Sequence, residues 1–190
     1  MTPTLTGATA KKRSAAAAER VRTLPANTPV GSLLVMDTGA NGIVLGGGGL
    51  ALAQSSFSVF TPTPSKTLSS NGHSDKVIGS GTLTVKLSGH QSSPTLVTLD
   101  NVLATPTSKW NVAPPSHLPG FVSAEIARNG AMTIHLQGCE PITTRSFHGL
   151  QVLQFTPVPS DDASASASAF ASAHVALALE SSLSVSPPPP

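Results

Sequence analysis

SLLVMDTGANGIVLGG, residues 32–47, decides how this chain is read. Leu33 to Met36 form an unbroken apolar run of strand length. The run stops at a carboxylate, Asp37, followed at once by Thr38, Gly39 and Ala40. A buried strand that ends this way delivers its acid to a tight loop. That loop is either an ordinary strand-ending turn or a support that fixes a reactive carboxylate, and the rest of the sequence has to choose between them.

Downstream, strand signals repeat. GTLTVKLSG (81–89) alternates Leu83, Val85 and Leu87 with Thr82, Thr84 and Lys86. TLVTLDNVLATP (95–106), GAMTIHLQG (130–138) and GLQVLQFTPVP (149–159) carry similar runs. Turn signals separate them: Asn71-Gly72, Ser80-Gly81, Ser88-Gly89, Pro114-Pro115 and Asn129-Gly130. These patterns predict an all-β barrel or sandwich. One short helix is expected over FVSAEIARNG (121–130), where Asn129-Gly130 serves equally as a helix stop or as a hairpin turn.

Composition agrees with short strands joined by many turns: aromatics are only 4%, Tyr is absent, and there are 17 Pro and 16 Gly. A chain of 190 residues accommodates one domain of roughly 100–150 residues plus tails. A site needing two similar halves therefore needs two chains. The expected division is a basic, flexible arm over 1–28, a barrel over 29–159 and a low-complexity Ala/Ser/Pro tail over 160–190, with both ends disordered.

The formal charge of +2 hides an asymmetry. Lys11, Lys12, Arg13, Arg20 and Arg22 stand against Glu19 in the arm, whereas Asp161, Asp162 and Glu180 are the only charges of the last thirty residues. Lys11, Lys12 and Arg13 are candidates for a weak nucleic-acid contact, but without interleaved aromatics a solvated arm is the simpler reading. SAAAAERVRTL (14–24) has the composition of a short helix capped by Ser14. Cys139 is the single cysteine, which excludes an intrachain disulfide and favours an intracellular, cytoplasmic setting. No segment reads as a secretory signal or a membrane span, so no membrane association is expected.

A peptide-hydrolysing aspartate needs a second carboxylate facing it, because two acids in close contact share one proton and so supply both base and acid. Asp37 presents a carboxylate, the Thr38 hydroxyl suits a hydrogen bond across a symmetric pair of loops, and Gly39 permits close backbone approach. KVIGSGTLTVKLSG (76–89) follows, a hairpin-like segment whose Gly-Ser-Gly suits the tip of a flap closing over an extended peptide.

In this order the segments resemble the retropepsin-like aspartic proteases, most closely the protease region of Copia-type retrotransposon polyproteins, over about residues 31–155. LLVMDTGA matches the family's apolar strand entering Asp-Ser/Thr-Gly-Ala, and IGSGTLTVKL matches its Gly-x-Gly strand. LDNVLATP matches its Leu-x-x-Val-Leu-x-x-Pro stretch, and WNVAPPSHL loosely matches the following Asn-hydrophobic segment. The resemblance implies a small closed barrel of the retropepsin-like type with Asp37 as the catalytic residue and Thr38, Gly39 and Ala40 supporting its loop. Ile78, Gly79, Ser80 and Gly81 would lie in the flap. It implies a homodimeric endopeptidase that cuts peptide segments of a polyprotein and needs no metal or organic cofactor. The alternative is an inactive barrel kept as a binding or assembly module. Two departures stand out: Ala40 is followed by NGIVLGGGGL, with four glycines at 46–49, and no clean apolar-apolar-Gly motif follows the flap segment.

Other candidates are weaker. His135 and Cys139 offer two metal ligands with no obvious third or fourth. His73, His90, His117, His148 and His174 fit surface loops. LGGGGL lacks the Lys-Ser/Thr of a phosphate loop. Trp110 suits a core or dimer contact, and Asp100 a turn or edge position.

Overall fold

β1 (Leu33–Met36) is buried at every position, as an unbroken apolar run requires. It pairs antiparallel with β11 (Leu150–Pro157) on one side and parallel with β6 (Asn111–Ala113) on the other. From β6 the sheet continues through β2 (Val44–Gly46), β5 (Thr95–Thr105) and β4 (Ser74–Ser88), and β4 pairs back onto β11. These six strands form a small closed barrel, so the all-β expectation holds. The computed structural model describes residues 22–68, 74–161, 166, 168–173 and 175–176.

Two strands extend the barrel at its seams: β3 (Phe57–Leu68) pairs with β4, and β10 (Arg145–Phe147) with β11. A second sheet holds β7 (Phe121–Ile126), β8 (Met132–Leu136) and β9 (Ile142–Thr143). The helix expected over 121–130 is therefore a hairpin. Ala127 and Ala131 close its turn by a backbone bond of 2.8 Å, and Gly130 takes a φ of +79° that glycine adopts without strain. Of the two readings of Asn129-Gly130, the hairpin turn is the one realised. Ile134 is fully buried in β8, and cross-strand pairing outweighs the helix propensity of Ala and Glu.

Alternation decides which way the strands face. In β4, Leu83, Val85 and Leu87 are fully buried while Lys86 is exposed, and each fully buried aliphatic side chain contributes about 1.5–3 kcal/mol. β5 carries a phase slip: Val97 and Leu99 point inward, then Val102 and Ala104 do. An extra residue absorbs the slip. Gly81 pairs with Val102 and Leu83 with Leu99, so Thr82 alone stands opposite Asp100 and Asn101, and Asn101 takes a φ of +53°. Without this bulge, everything after Leu99 would present its polar face to the core.

The glycine run forms the start of a short helix, α1 (Gly47–Ala53), that packs where side chains would not fit. A Cβ on Gly49 would overlap the Asn111 side chain, and one on Gly47 would lie 2.6 Å from the Pro106 carbonyl oxygen. Beyond the strands, Leu24 is buried and its N–H donates to the Ser146 carbonyl (2.9 Å). At the other end Phe170, within a helical stretch over 168–173, is buried against Phe57 and Phe60, with ring centroids at 6.3 and 5.1 Å.

Candidate active site

Asp37 leaves β1 where β1 and β6 run side by side in the same direction. Its N–H donates to the Ala113 carbonyl (3.1 Å), which continues the parallel ladder by one bond and fixes the backbone at the start of the loop. The Ala40 N–H donates to the Asp37 carbonyl (3.2 Å), closing the turn, and the Gly39 N–H donates to Asp37 Oδ1 (2.8 Å). One carboxylate oxygen is thus held by the loop's own backbone. Asp37, Thr38 and Gly39 are exposed and Ala40 half-buried, so the acid stands on the surface of this chain.

Gly39 has no positive φ, and a Cβ there would meet only Asp37 Oδ1, at 3.3 Å. Within the single chain it is the Gly39 N–H that matters.

Asn111 ties down the other end of β1, where the strand begins. This side chain is 1% exposed, and its Oδ1 accepts from the Gly46 N–H (2.9 Å). Its Nδ2 donates to the carbonyls of Leu33 (2.8 Å) and Gly31 (3.0 Å). One amide therefore ties the entry of β1, the exit of β2 and the head of β6. Sequence reasoning gave Asn111 no role; an Asn opening an apolar strand is the only trace it leaves.

Ile78, Gly79, Ser80 and Gly81 are not a hairpin tip, which corrects the expectation of a Gly-Ser-Gly tip. They lie inside β4, with β3 on one side (Gly79 opposite Pro62, Gly81 opposite Phe60) and β5 on the other (Gly79 opposite Ala104, Gly81 opposite Val102). Ile78 and Gly79 are buried. The glycines are there because the β3 aromatics lie across them: a Cβ on Gly79 would come within 2.6 Å of the Phe60 ring, and one on Gly81 within 2.7 Å of Phe57. The β3–β4 connection at 69–73, with Asn71-Gly72 and His73, lies outside the described residues, as do Lys11, Lys12, Arg13, Ser14 and His174.

Beside the Asp37 loop opens a cleft of about 480 Å³. Asn41, just after the Asp37 turn, Asp100 and Asn101 from the β5 bulge, and His117 from the 3₁₀ turn Pro115–His117 give it polar walls. Ile43, Leu103 and Pro119 give it apolar ones. Asp100, expected at a turn or edge, sits in the β5 bulge, where of the described strands β4 alone runs alongside and β2 joins only from Leu103 on.

The remaining candidates separate. Among the described residues no three His, Cys, Asp or Glu side chains group as a metal site. His135 faces Glu125 at 3.8 Å, and Cys139 is exposed in the β8–β9 turn. Trp110 packs edge-on against Phe147 (6.3 Å), with Lys109 Nζ 5.4 Å from its ring centre. No helix among the described residues is long and apolar enough to cross a membrane. No protein-family model, curated protein or solved structure matches the chain. The architecture itself, a small closed six-stranded barrel with Asp37 on the loop after its most buried strand, is compatible with a retropepsin-like fold.

Proposed function

We propose that the chain is an aspartic endopeptidase of the retropepsin-like kind, completed by a second copy of itself and acting on extended peptide segments such as those of a retrotransposon polyprotein. The observation that carries this reading is the Asp37 loop: an exposed carboxylate whose backbone is fixed by Ala113 and whose Oδ1 is held by Gly39. Such a loop is half of a site. Brought against Asp37 of the partner subunit, the two carboxylates share one proton. The ionised one takes a proton from water as its oxygen attacks the scissile carbonyl carbon, and the protonated one donates to the carbonyl oxygen. Collapse of the tetrahedral intermediate breaks the C–N bond and the leaving amine takes up a proton. The Thr38 hydroxyl would supply a bond across the pair of loops.

The test is cleavage of a peptide library at mildly acidic pH by the full chain and by Asp37→Asn, with the oligomeric state followed by sedimentation. The expected result is cleavage that rises more than linearly with protein concentration and disappears in Asp37→Asn. A folded dimer that cleaves nothing would overturn the protease reading and leave the binding-module alternative.

A further inference from the structure

The β5 bulge that the barrel needs also shapes the cleft beside the Asp37 loop. The β5 bulge restores the inward phase of Val102 and Ala104, yet it also leaves Asp100 and Asn101 consecutive and both exposed on the cleft side. Asn101 holds a left-handed φ of +53°, a conformation that costs a residue with a side chain and that clusters where a chain has to aim a group. Asp100 is anchored as well: the Thr82 hydroxyl donates to its Oδ1 at 3.0 Å, and Oδ2 makes no hydrogen bond among the described residues. Leu103 and Pro119 add apolar lining to the same cleft, and Asn41 and Asn101 offer amide groups that accept and donate.

A cleft lined by apolar side chains and one anchored carboxylate is complementary to a long aliphatic stem ending in a cation. We infer that this cleft binds an extended peptide carrying a Lys or Arg side chain, with its stem along Leu103 and Pro119 and its charged head on Asp100. His117 is the one other titratable group lining the cleft, and its neutral form accepts a further N–H from a guanidinium. As a substrate preference this rests on the protease reading; as a binding site it does not. The chain's own AKKRSA segment, residues 10–15, has the required chemistry and supplies a natural probe.

The experiment measures fluorescence anisotropy of an end-blocked, labelled AKKRSA peptide, and of AQQQSA, with the full chain carrying Asp37→Asn so that nothing is cut. Further samples add Asp100→Asn, or His117→Lys, which sets a like charge in the cleft without touching the bulge. The expected result is that AKKRSA binds and AQQQSA does not, with affinity falling about tenfold or more in each variant, the scale of a lost charge-assisted hydrogen bond. No binding of AKKRSA, equal binding of both peptides, or binding unchanged by both substitutions would overturn the inference. Asp100-dependent binding without cleavage by the unsubstituted chain would remove the protease reading alone. Cleavage with no preference for basic residues would overturn the substrate preference and leave the protease reading standing.

Discussion

Replacing Asn111 by alanine removes one side-chain amide and unties three places at once. Its three shortest bonds, to the Gly46 N–H and to the Leu33 and Gly31 carbonyls, span 2.8–3.0 Å, with a longer one to the Val30 carbonyl (3.4 Å). A net hydrogen bond is worth about 1 kcal/mol, and a buried group left without its partner costs about 1–3 kcal/mol. Gly31 is half-buried and can turn to water, but Asn111 is 1% exposed and Gly46 is buried. Asn111→Ala is therefore expected to lose about 3–5 kcal/mol, a large share of a stability that is typically about 5–15 kcal/mol. Urea unfolding followed by far-UV circular dichroism should place the midpoint well below that of the parent with the slope unchanged. Tm should fall by on the order of 10 °C. Asn111→Asp keeps an acceptor for Gly46 but turns an oxygen toward two carbonyls, so it should be no more stable than the alanine variant at neutral pH. A loss below about 1 kcal/mol in Asn111→Ala, within the worth of one ordinary bond, would refute the claim that this amide ties the entry of β1 to β2 and β6.

Two further outcomes follow from the packing. Gly49→Ala gains about 1 kcal/mol of helix propensity, yet its Cβ would collide with the pinned Asn111 side chain, so chemical denaturation should show a net loss of about 1–3 kcal/mol; a stabilised variant would mean that the contact yields. Phe170 is 3% exposed against Phe57 and Phe60, so Phe170→Ala should cost about 3 kcal/mol in the same assay. A change near zero would show that this segment does not pack on the barrel.

What the sequence made legible is what alternation and runs encode. Leu83, Val85 and Leu87 announce their face by period two, and Leu33 to Met36 announce burial on both sides by having no polar member. The same pattern carried a clue that went unread: Val97 and Leu99 are odd-numbered while Val102 and Ala104 are even-numbered, and only a bulge reconciles them within one strand. The Gly-Ser-Gly of 79–81 misled because glycine marks a tip and a close approach alike, and only the position of Phe57 and Phe60 separates the two. FVSAEIARNG misled because Ala and Glu favour helix locally, whereas the pairing that wins involves residues on β8 that no local window contains. Asn111 and the residues it ties lie 65 or more positions apart in the chain, so the brace exists only once the barrel closes.

The way Asp37 is held decides how cleanly its chemistry can be tested. Its position comes from main-chain bonds, the N–H to Ala113 and the carbonyl to Ala40, which no side-chain substitution removes. The only hydrogen bond the carboxylate makes among the described residues is with the Gly39 N–H, and an asparagine side chain retains a carbonyl oxygen able to accept it at 2.8 Å. Asp37→Asn should therefore leave the loop and the barrel as they are, changing stability by less than about 0.5 kcal/mol, as at an ordinary exposed position. Activity lost with stability unchanged then reports the proton that the amide cannot take up, not a damaged fold. If the asparagine variant instead unfolded measurably more easily than its parent, the carboxylate would be carrying structure as well, and the loop would have to be read as a strand-ending turn whose acid serves the fold.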